Sequence, residues 1–188
     1  MYMKKKYISI ILIVLLLVMF DQISKLLVVN YLNDDASLGY NLLNNEGTSS
    51  IISFKCDKDA YASIELLSAK SGFTYDKDKN VIKIKMDLTG TLSELNCNMD
   101  ISKEKEIKKL EEMLKKRIKE ILDEMITSLR MNNSDFIGIG KYLYQNDYKY
   151  YKKNKDKIED MLKDIKAEYD INITYTQKTS IKRGDEKY

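Results

Sequence analysis

Histidine, proline and tryptophan are absent from this chain, and cysteine occurs only twice in its 188 residues. Without histidine the commonest general base and the commonest transition-metal ligand are missing. Serine–histidine and cysteine–histidine nucleophile systems are therefore excluded, as is any zinc site that uses imidazole. Cys56 and Cys97 lie 41 residues apart, and with no CxxC pair a zinc or redox motif is excluded as well. The two cysteines read as small buried apolar residues. A pairing between them is open only if the domain faces an oxidising space.

Charge of one sign is also scarce. The chain carries +3 overall, but Lys4, Lys5, Lys6 and Lys25 stand against Asp21 alone in residues 1–32. Setting those aside, the 32 basic and 29 acidic side chains fall to 28 of each. A neutral remainder has no electrostatic reason to seek nucleic acid, and no such partner is expected. Carboxylates are plentiful, yet a linear sequence cannot bring two into one desolvated site, so no acid–base pair is identified. No catalytic, cofactor-binding or metal-ligating residue emerges, and an enzyme is not expected.

What is present begins with a leader, "MYMKKKYISIILIVLLLVMFDQISKLLVVNYL". A basic start precedes an uncharged, apolar run from Ile8 to Phe20, with Ser9 its one polar side chain. As a helix this run covers roughly 20 Å, short of the roughly 30 Å hydrocarbon core. Continuation through Leu26 to Val29, with Asp21 and Lys25 paired at i,i+4, supplies the missing length. A signal peptide shows the same basic start and apolar centre, but no small-x-small cleavage site follows, and no cysteine is placed to accept a lipid. Residues 1–32 are thus expected to be an uncleaved anchor that meets the bilayer through residues 7–29. Lys4 to Lys6 would hold the start in the cytoplasm and send residues 33–188 outside. The stretch "FDQISKLLVVNYL" is weakly similar to the first membrane helix of lipoprotein signal peptidase. That family needs several membrane helices and a later aspartate pair; with one hydrophobic segment here, peptidase activity is not expected.

Residues 33–37 (NDDAS) read as a polar linker, and "LGYNLLNNEG" as one or two helical turns stopped at Gly47 by a C-cap. Ile52, Phe54 and Cys56 alternate as in a strand, and Ile64 and Leu66 suggest a second. "SGFTYDKDKN" reads as a turn-rich excursion. "VIKIKMDLTGTL" alternates cleanly, with Ile82, Ile84, Met86 and Leu88 on one face and Lys83, Lys85, Asp87 and Thr89 on the other. From Ser102, a plausible N-cap, the period changes. Ile107, Leu110, Leu114, Ile118, Ile121, Leu122, Met125 and Leu129 form the stripe of a long helix, wider than a coiled-coil seam. Asn132 and Asn133 break it. A short helix is expected from Ser134, turning Phe136, Ile139 and Leu143 inward, and another from Asp147 to Ile165. Tyr169, Ile171, Ile173 and Tyr175 alternate as a last strand. The order strands, helices, strand indicates one α+β domain, with a mainly antiparallel sheet on a long amphipathic helix and two shorter ones.

Two stretches invite sharper readings. "SDFIGIGKYLYQ" sets Gly138 and Gly140 before Lys141, but a phosphate loop needs GxxxxGK[ST] after a buried strand. The glycines are too close together, Tyr142 replaces the hydroxyl residue, and Leu143 stands where a dinucleotide loop has its third glycine. Close packing of a short helix, made possible by the missing Cβ, is the expectation. "KYLYQNDYKYYKKNK" mixes tyrosine with lysine, as single-strand stacking platforms do. Asp147, Asp156, Glu159 and Asp160 dilute its charge, and an amphipathic surface helix is expected. Contact with a membrane or a membrane partner stays open.

Taken in order, these pieces carry a resemblance. Gly39-Tyr40-x-Leu42 opens it, followed by a strand ending near Cys56, a strand pair, and "TLSELN" leading into the long helix. The most specific block is "LEEMLKKRIKEILDEMITSLRMNNSDFIGIGKYLYQNDYKYY", in which a Lys/Glu helix precedes Asp135-Phe136-x-Gly138-x-Gly140. The final alternating strand and Arg183-Gly184 complete it. From about Leu38 to Gly184 the chain resembles the carboxy-terminal domain of the Ger(x)C family, the C subunits of spore germinant receptors. Members of that family place further domains between export signal and this one, are usually lipoproteins, and often have a tryptophan in the last helix, where Ile158 or Met161 stands here. A truncated, split or specialised relative is therefore expected. The resemblance implies a non-enzymatic part of a nutrient-sensing complex at the spore inner membrane, working with polytopic A and B subunits. It also implies that Gly39, Asp135, Phe136, Gly138 and Gly140 are structural positions. The alternative is a stand-alone anchored interaction domain of another envelope complex.

Overall fold

The computed structural model describes residues 19, 34–47 and 49–176. All but one residue of the expected membrane segment, and the Arg183-Gly184 pair, lie outside the described residues. Among the described residues no helix is long and apolar enough to cross a membrane.

Alternation of apolar and polar side chains makes half-buried strands, and four strands form one sheet in the order β1-β2-β3-β4. They are β1 (Ile51–Asp57), β2 (Ala60–Asp76), β3 (Val81–Leu95) and β4 (Lys166–Tyr175). The alternation is cleanest in β3 and β4 and less so in β2, which buries Ala62, Ser63 and Ile64 in a row. The first three pair antiparallel, while β4 lies parallel to β3. The "SGFTYDKDKN" stretch is mostly strand, a correction to the excursion read from its polar residues. Phe73 and Tyr75 pair with Ile84 and Ile82, which carries β2 to Asp76 and leaves only residues 77–80 for the turn. Cross-strand partners supplied the preference that local composition withheld.

A parallel neighbour requires a long crossover, and here the helices provide it. After α1 (Asp34–Leu43) come α2 (Glu104–Asn132), α3 (Ile139–Asn146), α4 (Tyr148–Asn154), a 3₁₀ turn at Lys155–Lys157, and α5 (Ile158–Leu162). The stripe on α2 buries Leu110, Leu114, Ile118, Ile121, Leu122, Met125, Ile126 and Leu129. It lies against Ile52 and Phe54 of β1, Ile64 and Leu66 of β2, Ile82 to Leu88 of β3 and Ile171 of β4 in one continuous core. Register places Ile84, Met86 and Leu88 beside Tyr169, Ile171 and Ile173, so one face of the sheet is apolar along its length.

Several boundaries differ from expectation. α1 begins inside the stretch read as a linker because Ala36 and Gly39 are buried, and Arg117 of α2 donates to Asp35 at 2.7 Å. Gly47 is not the C-cap: α1 ends at Leu43 and Asn45 takes the positive φ of 62°. Gly47 instead leaves room for Leu42, whose Cδ2 would sit 2.6 Å from an added Cβ. Ser102 is not the N-cap of α2. Asp100 accepts its amide at 3.1 Å and its hydroxyl at 2.6 Å, so the serine serves a preceding turn and Lys103 takes the cap position. The helix expected from Asp147 to Ile165 is three short pieces, with only Ile158 and Leu162 buried in them. Asn133 does end α2, in the left-handed conformation at φ 48°.

The cysteines overturn the reading of two separate apolar residues. Cys56 and Cys97 form a disulfide with Cα atoms 6.1 Å apart. Cys56 falls where the β1–β2 register shifts between Lys55 and Asp57. A bulged residue leaves the ladder, and this one turns toward the chain leaving β3, which Asn96 ties to Tyr61 by a 3.0 Å backbone bond.

Candidate functional site

The five motif positions sit on two segments nearly a hundred residues apart in sequence. Gly39 is where α1 crosses α2: an added Cβ would lie 3.0 Å from Met125 Cβ and 3.1 Å from the Ile121 carbonyl oxygen. The following Tyr40 meets Phe136 edge-on, ring centroids 6.0 Å apart. Both segments therefore pack around the carboxy-terminal half of α2.

Asp135 organises the second segment. Its Oδ1 accepts the amides of Gly138 (3.1 Å) and Ile139 (2.7 Å), and its Oδ2 accepts that of Gly140 (2.6 Å). The first helical amides of any helix lack intrahelical partners, and here one carboxylate takes three of them. Gly138 takes φ 86°, the left-handed region that glycine enters without strain. Gly140 lets its backbone come close, since an added Cβ would lie 3.1 Å from Asp135 Oδ2 and 3.3 Å from Ile158 Cδ1. The helix thus starts at Ile139 rather than Ser134: the Asp135 turn precedes it. The amides that a phosphate would need are already occupied by a carboxylate, and close backbone approach is what the glycines allow.

A second cluster joins the β2–β3 turn to the helices. Lys77 pairs with Asp147, its ammonium lies 4.8 Å from the Tyr150 ring centroid, and Asp147 accepts the Tyr150 amide at 3.0 Å. The hydrogen bond from Lys77, and then that from Tyr150, hold the Asp147 carboxyl below the usual range. The Tyr75 hydroxyl donates to Asn80 Oδ1 at 2.7 Å, and Asn80 Nδ2 donates to the Met161 carbonyl at 2.8 Å. Burial, and then the neighbouring Tyr150 and Asp76, push Tyr75 up to about 12. Its protonated form is favoured in the folded state, so its contribution is complete below pH 10.0, the ordinary value. It fades as pH rises toward 12, where the folded phenol also ionises. Denaturant titrations across this window should show a loss of about 2 kcal/mol from this group. Tyr75→Phe should flatten that slope in part, leaving the share of Tyr169, whose burial and bond to Asp123 raise it as well.

The wet face of the sheet forms an open depression of about 570 Å³ lined in part by Thr74, Lys83, Lys85, Glu168 and Asp170. Lys83 and Glu168 face each other at 3.4 Å, and Asn172 donates to Asp87 at 2.9 Å. Its charges are mutually compensated. Among the described residues no group of three histidine, cysteine or acidic side chains could hold a metal ion. Sequence reasoning isolated the Asp135 segment but missed the Tyr75–Lys77–Asn80 cluster. No local signal marks a turn that is anchored by residues 70 to 80 positions away.

Comparison with known proteins agrees with this geometry. No curated protein matches the chain. A solved structure described as the crystal structure of the GerBC protein superposes with a TM-score of 0.65 at 15% identity. The match covers 77% of this chain and 46% of that one, so the chain spans about half the length of its structural neighbour. At that identity the likeness establishes a shared fold. The family described as spore germination B3/GerAC-like, C-terminal, matches residues 18–180, which takes in both motif segments, the sheet and α2. Across that span, the chain belongs to the spore germination B3/GerAC-like C-terminal family.

Proposed function

We propose that this chain is a non-enzymatic, membrane-tethered subunit or scaffold of a spore germinant receptor. The observation that carries the reading is the family match over residues 18–180. The receptor-subunit character of that family fits a domain whose most distinctive carboxylate, Asp135, is spent on backbone amides. We assign Gly39, Asp135, Phe136, Gly138 and Gly140 to the structural framework of that domain. Residues 1–32 act as the tether, crossing the bilayer of the spore inner membrane or cell membrane through residues 7–29. Residues 33–188 work on the outer side by contact with the membrane subunits of the receptor. Affinity purification of the tagged chain from detergent-solubilised dormant-spore membranes tests this. Co-purification with polytopic receptor subunits is expected, together with impaired nutrient germination in a deletion strain. Recovery without those subunits, with normal germination on deletion, would assign the domain to a different envelope complex.

A further inference from the structure

The tyrosine- and lysine-rich run at residues 141–157 gives Leu143 to the core and packs Tyr142, Tyr150 and Tyr151 against it, while Tyr144, Tyr148 and its lysines are exposed. α4 has no buried residue at all, although the Asp147–Lys77 pair and the Tyr150 contacts fix it to the β2–β3 turn. Its outer side is aromatic. Tyr144 and Tyr148 are each 55% exposed, and the Tyr144 ring stands edge-on to both Tyr148 and Tyr151, centroids 5.4 Å apart in each case. Helical spacing sets lysines beside these rings: Lys141 precedes Tyr144 by one turn of α3, and Lys152 follows Tyr148 by one turn of α4.

Charge is segregated here. Residues 141–157 hold six lysines against Asp147 and Asp156, inside a domain that is neutral as a whole. Asp147 is engaged by Lys77. Among the described residues none of Lys141, Lys149, Lys152, Lys153, Lys155 and Lys157 forms an ion pair. A positive lobe tipped with amphipathic rings matches the chemistry of an anionic lipid surface. Lysine stems lie along apolar area while their ammonium groups reach phosphates, and tyrosine rings settle at headgroup depth. A protein interface core, by contrast, is depleted of lysine.

We propose that the α3–α4 lobe is a docking surface for an anionic bilayer. Tyr144 and Tyr148 enter the headgroup layer, and Lys141, Lys149, Lys152, Lys153 and Lys155 contact lipid phosphates. This orientation would lay the domain against the membrane rather than leave it free on a tether. It requires only anionic lipid and stands independently of the receptor assignment.

The absence of tryptophan gives a direct test, because Tyr148→Trp supplies a single reporter in the full chain. The protein is reconstituted in vesicles of phosphatidylglycerol or of phosphatidylcholine, each with brominated acyl chains. In anionic vesicles the emission should shift to the blue and be quenched at least about twofold more than in neutral ones. The difference should vanish at about 1 M salt, where charges are screened beyond roughly 3 Å. Lys149→Glu with Lys152→Glu and Lys153→Glu should abolish it, each lost lysine weakening association about fivefold. Tyr61→Trp, at the far end of β2, should remain unquenched. Three results would overturn the proposal: an unquenched Trp in anionic vesicles, equal quenching in both lipids, or equal quenching at the two reporter positions. A lipid-independent blue shift that grows with protein concentration would also overturn it, since the face would then be covered by a second copy.

Discussion

Reduction of the Cys56–Cys97 bond is expected to destabilise the domain by about 4 kcal/mol, from the chain entropy released when a closed loop of this length is opened. The bond spans 41 residues and encloses the β1–β2 turn and the whole β2–β3 hairpin, with β1 as far as Lys55 lying before the loop. Denaturant midpoints measured with and without a reductant, and for Cys97→Ser, should fall together. Cys56→Ser should lose nearly as much as Cys97→Ser, because each removes the same constraint; the slightly larger loss falls at Cys97, the more buried of the two. A shift under about 1 kcal/mol would show that the reduced, unfolded chain already holds these hairpins together. A domain that relies on this bond is suited to an oxidising compartment, which agrees with the outward topology proposed for residues 33–188.

Asp135→Ala is expected to have an effect of similar size by a different route. It strands the amides of Ile139 and Gly140 in a partly buried turn and leaves that of Gly138 only its 3.3 Å bond to the Asp135 carbonyl. Hydrogen bonds to a charged acceptor contribute about 1.5–3 kcal/mol each, and they are not additive on one carboxylate, so a loss of about 3–5 kcal/mol is expected. Asp135→Asn retains one acceptor oxygen and should lose about half as much. Urea unfolding of both variants tests the gradation. A loss under about 1 kcal/mol for Asp135→Ala would mean that water replaces the carboxylate and that the turn does not depend on it. Because Tyr40 packs on the adjoining Phe136, the variant should also loosen α1. Faster amide exchange at Leu42 and Leu43 would report that.

Period was the strongest signal in the sequence. Alternation along Val81–Leu92 and Tyr169–Tyr175, and the three- and four-residue stripe from Leu110 to Leu129, determined two strands, the long helix and the faces each would bury. These signals hold because an apolar side chain on the wrong face of a half-buried element loses its burial, whatever its neighbours. The end of α2 at Asn132 and Asn133 was legible for a comparable reason, since the tolerance of asparagine for the left-handed conformation, taken here by Asn133, is its own.

Other features belong to partners far away in the chain. β2 extends to Asp76 because β3 pairs with it, and β4 is parallel because α2 to α5 return the chain to the end where β3 began. Ser102 lost its capping role to the competing carboxylate of Asp100. Cys56 and Cys97 met through a bulge that shifts one residue out of the ladder. The purpose of Gly138 and Gly140 became clear only once Asp135 was seen to occupy their amides. Residue type set what each group could do, while distances of a few ångströms between segments as many as 80 to 100 positions apart decided which option was used.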